Sequence, residues 1–226
     1  MKIMKHKIKL ALPAITYFIF YLCWFYIIEH APGRDYTIIH MKIDDRLPFC
    51  EYFIIPYFMW FGYVAWILFY LFFANEKDFL KCCTFLFTGM TIFLIISTLF
   101  PNIHYLRPSV MPRDTIFTKM VTFLYSIDTS TNLWPSIHVY NSMGVLFAVN
   151  HNRQLGSKPF IRLSCFILTI LIILSTVFLK QHSVYDVMTG ILMGVAIYII
   201  TYRTAFLSHL HHKLLAVLKR KAHTTG

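Results

Sequence analysis

The chain has 226 residues, of which 58% are hydrophobic and 18% aromatic, while charged residues make up only 14%. Soluble domains sit nearer half apolar and a quarter charged, so a water-soluble globular domain is excluded. The net charge of +11 does not indicate a nucleic-acid binder either, because the basic residues gather at the ends of apolar runs and form no stripe interleaved with aromatic side chains.

Lys2, Lys5, Lys7 and Lys9 precede a first apolar run over 10–28. No small-x-small cleavage pattern follows it, and it is long enough to cross a bilayer, so it reads as an anchoring helix. The loop over 29–51 holds the turn signal Pro32-Gly33 and the acidic pair Asp44-Asp45, which reads as a solvated loop before it reads as a cation site. A second span over 52–73 carries Pro56 near its start, and Asn75-Glu76-Lys77-Asp78 forms a tight turn into a third span over 79–100. The longest interior polar stretch, 101–135, holds Arg107-Pro108, Arg113-Asp114 and Asp128. A fourth, short span starts near Ser136 and stops before Asn150; a fifth covers 160–179 and a sixth 183–201. The expected fold is therefore all-α, one polytopic membrane domain over 1–226, built as a bundle of about six transmembrane helices with a basic tail over 203–226.

Six spans place both termini on one side. Fourteen of the 21 Lys and Arg lie in the N-terminus, the 74–81 turn, the 150–162 loop and the tail. The positive-inside rule makes that side cytoplasmic, in an integral protein expected in the plasma membrane. Arg107, Ser136, His138, His182 and Asp186 then all fall at the opposite face. The five cysteines (Cys23, Cys50, Cys82, Cys83, Cys165) show no CxxC spacing and no disulfide framework. Four lie within or beside apolar runs, where a thiol packs as a small hydrophobe, and this reading also takes Cys82-Cys83 over acylation.

Two stretches carry the chemistry: Trp134-Pro135-Ser136-Ile137-His138, and Lys180-Gln181-His182-Ser183-Val184-Tyr185-Asp186. Each puts a histidine where an apolar helix meets water. Asp186 follows His182 by four residues, a spacing that projects both from one helix face. A carboxylate holding one ring nitrogen leaves the other free as nucleophile or base. Phosphoryl transfer needs such a nucleophile, an acid for the leaving oxygen, and donors around the equatorial oxygens. His182 fits the first task, His138 the second. Ser136 with the helix-start N–H groups, the fork of Arg107, and Lys180 fit the third.

These residues resemble the signature motifs of the type 2 phosphatidic acid phosphatase superfamily, which read K-x6-R-P, P-S-x-H and S-R-x5-H-x3-D. The resemblance rests on Arg107-Pro108, on Pro135-Ser136-Ile137-His138, and on Ser175 through His182 to Asp186, and it covers roughly the last 130 residues. It implies an integral-membrane lipid phosphatase or phosphotransferase that works through a phosphohistidine, with no metal and no cofactor. By motif position His182 is the nucleophile, Asp186 its orienter and His138 the acid. Two cationic positions depart from the pattern: Phe100 stands where the first motif has lysine, and Thr176 where the third has arginine. Arg113 and Lys180 are the nearby cations available to stand in.

The leading expectation is a phosphatase acting on a phospholipid or polyprenyl phosphate, with the bilayer as its other partner. The alternatives are a lipid phosphotransferase that passes the head group to an alcohol, as sphingomyelin or inositol-phosphoceramide synthases do, and a non-catalytic membrane protein that keeps the fold. His209, His211 and His212 with Lys213 read as the polar side of an interfacial basic helix rather than a metal site. His104, taken singly, reads as structural.

Overall fold

The structure, a computed structural model, describes residues 2–204; the basic tail and its His209, His211, His212 and Lys213 lie outside the described residues. In chain order the helices are α1 (Lys2–Glu29), α2 (Ile54–Ala74), α3 (Glu76–Leu99), α4 (Ile116–Ile127), α5 (Ile137–His151), the single turn α6 (Arg153–Gly156), α7 (Pro159–Phe178) and α8 (Val184–Tyr198), which runs on as a π-helical turn through Arg203. The chain is thus an all-α membrane bundle. Helical hydrogen bonding within each segment is what lets an apolar backbone cross lipid.

Five of these helices are long and apolar enough to cross a membrane. The remaining expected span, α5, has only 15 residues, about 22 Å of helix at 1.5 Å per residue. Its shortness follows from its place in the bundle. It packs against α2, α3, α7 and α8, and Val139, Tyr140, Asn141, Ser142, Gly144 and Val145 are all buried. A helix enclosed by protein need not match the bilayer thickness, and it can carry Asn141 and Ser142 without facing lipid.

Lipid tails are as apolar as leucine, so helix contacts here depend on close packing and interhelical hydrogen bonds. A Cβ at Gly89 of α3 would lie 2.1 Å from the Tyr140 ring, and one at Gly190 of α8 would lie 2.8 Å from the Ser136 carbonyl. Those two glycines set how near α3 and α8 come to α5. Hydroxyl bonds add to the packing. Tyr140 Oη donates to Phe85 O at 2.6 Å, Tyr63 Oη donates to Cys165 O at 3.2 Å, and Tyr17 Oη meets Thr91 Oγ1 at 2.8 Å. The cysteines are free, with Cys82, Cys83 and Cys165 buried.

At one end of the bundle, the C-termini of α1, α3 and α7 gather with the N-termini of α2, α5 and α8. The polar segments that join them are tied together there. Two-residue strands β1 (Thr37–Ile38) and β2 (Asn102–Ile103) pair in parallel, and the Asn102 side chain accepts from Leu133 N at 2.8 Å and Trp134 N at 3.0 Å. The 101–135 stretch read as a polar loop; it is an ordered roof that includes α4. Asp44 also departs from the solvated-loop reading. It is 1% exposed, and it accepts from Ser183 Oγ at 2.6 Å, Val184 N at 2.8 Å and Met41 N at 2.8 Å. The free N–H groups of α8's first turn need acceptors, and a carboxylate there meets both that need and the helix dipole.

Candidate active site

Two helix starts bring the histidines together. Ser136 is the N-cap of α5, its hydroxyl accepting from Val139 N, and this seats His138 in the first turn. Ser183 caps α8 in a capping box with Asp186, whose carboxylate accepts from Ser183 N at 2.9 Å. Ser136 N donates to Asp186 O at 3.1 Å, so the two caps are joined directly.

His138 Nδ1 lies 3.3 Å from His182 Nε2, and His182 Nδ1 lies 3.4 Å from Asp186 Oδ2. The second contact is an ion-pair distance without hydrogen-bond alignment, and it leaves Nδ1 of His182 and Oδ1 of Asp186 without other partners. The partners assign the tautomers. When Asp186 is ionised it can only accept, which puts the His182 proton on Nδ1 and a lone pair on Nε2, with His138 Nδ1 as donor in the 3.3 Å contact. Burial, with Arg107 nearby, pushes His182 down to about 3, so its ring is neutral at physiological pH. The His138 ring is boxed by Tyr57 and Trp60, with ring centroids 4.8 and 4.4 Å away. A cavity of about 50 Å³ opens on both histidines and is walled by Phe25, Phe93, Asp128, Asn132 and Ile137, among others.

The expected phosphate contacts divide. Arg107 lies beside the histidines, but its N–H groups are engaged: Nη1 donates to Asp128 O at 2.8 Å, Nη2 to Thr129 O at 2.7 Å and to Gln181 Oε1. Only its buried Nε lacks a partner. The Ser136 hydroxyl serves the cap. Lys180 turns away from the histidines, its ammonium donating to Asp44 O and Leu47 O at 2.7 Å each. This residue sits at φ +53, the bend that aims its side chain at the 41–47 loop. Arg113 pairs with the buried Glu51 at 3.0 Å. Both Lys180 and Arg113 are thus engaged by protein acceptors.

Several supporting residues escaped the sequence reading. Gln181 is fully buried. It links Arg107 to Asp128 through its amide, Nε2 donating to Asp128 Oδ2 at 3.2 Å, and Tyr57 Oη donates to the same oxygen at 3.1 Å. His104 fixes the backbone beside the nucleophile: Leu106 N donates to its Nδ1, so Nε2 is the donor to Gln181 O at 2.8 Å. Burial pushes His104 down to about 4, which keeps that neutral tautomer. Among the described residues no group of three or more His, Cys, Asp or Glu is arranged to hold a metal ion.

An all-helical membrane bundle with paired histidines under a roof at one end defines the class. The model of the PAP2 superfamily matches residues 106–209, a segment that contains Arg107, Ser136, His138, His182 and Asp186, and over that segment the chain is similar to the superfamily. The superfamily comprises lipid phosphatases and related phosphoesterases. No curated protein and no solved structure matches the chain.

Proposed function

We propose that the protein cleaves a phosphoester of a membrane lipid through a phosphohistidine on His182, without a metal or a cofactor. The observation that carries this reading is the unbroken order His138–His182–Asp186, at 3.3 and 3.4 Å. The Nε2 lone pair of His182 attacks phosphorus, forming the N–P bond as the P–O bond to the lipid breaks. His138, in its imidazolium form, gives its Nδ1 proton to the leaving oxygen and becomes neutral. Water then attacks phosphorus and returns a proton to His138, and the N–P bond breaks to release phosphate. Asp186 holds the imidazolium that forms. The two rings are too close to admit phosphorus between them, so the substrate must part them to reach the ~3–3.5 Å of a near-attack geometry. The membrane expected is the plasma membrane, with both termini cytoplasmic and the histidines at the outer face.

The test is a panel of lipid phosphates in detergent with EDTA present. Activity there supports metal-free cleavage, and His182→Ala should remove it while leaving the thermal midpoint within a few degrees. Phosphate release that survives His182→Ala sinks the proposal.

One observation favours a second reading, transfer of a phosphoryl head group to an alcohol. The residues that wall the cavity include the Asp128 carboxylate and no lysine or arginine, and Arg107 is spent on carbonyls. Such a site suits the single charge of a phosphodiester better than the two charges of a monoester. With a labelled phospholipid donor and an alcohol acceptor, head-group transfer without free phosphate selects this reading over hydrolysis.

A further inference from the structure

The histidine cavity is too small to hold a lipid, and it adjoins a larger groove. That groove, about 350 Å³, runs between the last two turns of α1 and the C-terminal end of α4, where Leu22, Phe25, Tyr26 and Ile127 face Asp128 and Thr129. It shares Phe25 and Asp128 with the histidine cavity. A second groove of about 370 Å³ lies between α2 and α7, yet it shares no lining residue with that cavity. The α1–α4 groove is also graded along its length. Leu22 and Phe25 lie toward the membrane interior, while Glu29 and His30 stand at the end of α1. From Leu22 to Glu29 is about 10 Å of helix. A phospholipid has the same polarity over the same distance: apolar chain below, polar ester and head group above.

We propose that this groove is the side portal through which the substrate lipid reaches His182. One hydrocarbon chain lies against Leu22, Phe25 and Tyr26, and the phosphoester passes Asp128 and Thr129 into the cavity. Glu29 forms the lintel. Its Oε2 accepts from Thr131 Oγ1 at 2.9 Å and from Thr129 Oγ1, and its Oε1 accepts from Asn132 Nδ2. This clasp ties α1 to the segment that walls the cavity. The occupant is a lipid presented from the leaflet, because the lining is apolar along α1 and polar at its end. The proposal rests on phosphoester chemistry at His182, and its test separates the two.

Leu22 and Ile127 are 47% and 63% exposed, so tryptophan at either position fills the groove without repacking the core. Leu22→Trp and Ile127→Trp should each lower kcat/KM for a long-chain lipid phosphoester at least tenfold, and change turnover of a short-chain soluble phosphoester less than twofold. An equal effect on both substrates, or on neither, overturns the portal. A binding arm does not depend on turnover. In the His182→Ala protein, a phospholipid with a diazirine on its acyl chain should crosslink to Phe25, Tyr26 or Ile127, and Leu22→Trp should abolish that crosslink. Crosslinks confined to the α2–α7 groove at Phe58 or Cys165 overturn the portal even if His182 proves catalytic. Correct crosslinks without turnover in the native protein leave the portal standing and reject the chemistry.

Discussion

His104 and His182 are both buried imidazoles held neutral, and that has a consequence for stability. The unfolded chain takes up a proton on each near pH 6.5. The folded chain resists until about 4 at His104 and about 3 at His182. Between 6.5 and 4 the unfolded state therefore binds more protons, so stability falls as pH falls; above 6.5 these two groups contribute no slope. Each uncompensated histidine contributes up to about 1.4 kcal/mol per pH unit. The share of His104 is read as the difference in thermal midpoint between the native protein and His104→Asn, which should be steady from pH 8 to 6.5 and change progressively toward pH 4.5. His104→Asn should lower the midpoint at neutral pH, because Gln181 O loses its donor, yet flatten the acid slope by the share of one histidine. A slope unchanged in His104→Asn would mean that its ring is already charged in the folded protein. At this scale the sequence anticipated that His138, His182 and Asp186 meet, although His182 lies one residue before the Ser183 N-cap and not on the helix face that its spacing from Asp186 suggested. It said nothing of His104 as a prop for Gln181, since the two are 77 residues apart in the chain. Lys180 misled for a related reason: its proximity in sequence to His182 suggested a phosphate contact, but a left-handed backbone turns it to the 41–47 loop.

Among the elements, the contact between α5 and α8 sets the distance between the histidines. His138 begins one helix and His182 precedes the other, and Gly190 lets them approach, its place for a Cβ lying 2.8 Å from Ser136 O and 3.3 Å from Val139 Cβ. A methyl group there must push the helix starts apart. Gly190→Ala should therefore cost about 1–3 kcal/mol of stability as overpacking does and reduce kcat at least tenfold. Gly62 on α2 is the control, because nothing lies within 4 Å of its Cβ position; Gly62→Ala should leave both quantities unchanged. Equal behaviour of the two variants would remove helix spacing as the determinant of the site. The helices themselves were legible in the sequence as apolar runs, and the caps Ser136 and Ser183 as polar residues at their mouths. The 101–135 stretch was legible as a roof over the site but its internal order was not, because that order comes from pairings across distant segments: Thr37 with Asn102 in the strands, and Asp44 with the start of α8 across 140 residues. Periodicity carries no trace of such contacts. The short α5 was legible as a length but not as the central helix, which only packing reveals.

Over the whole molecule, charge is sorted to the ends of the bundle, and at the histidine end it is sorted again. Arg107, Lys180, Arg113 and Arg34 are each taken up by protein acceptors: carbonyls of the roof, carbonyls of the 41–47 loop, Glu51, and the last carbonyls of α3. The cations hold the roof to the bundle, and they leave the cavity walls to His138, His182, Asn132 and Asp128. On the second reading, transfer of a head group, a site of that make-up would discriminate by substrate charge and disfavour a monoester dianion against a phosphodiester. Position 100 offers the direct test. Phe100 caps the end of α3 and is 60% exposed, so a lysine fits there without burying its ammonium. It restores the cation that the first family motif carries seven residues before Arg107. Phe100→Lys should raise kcat/KM for a lipid phosphate monoester by about three- to tenfold, the equivalent of ~0.7–1.4 kcal/mol for one partly screened charge contact. The gain should shrink in 0.5 M salt, where the Debye length falls to roughly 4 Å, and turnover of a phosphodiester should change less than twofold. Equal gains for both substrates would show only a general attraction of anionic lipid. No gain for either would mean that position 100 does not face the phosphate, and the charge preference would then rest on Asp128 and the engaged Arg107 alone.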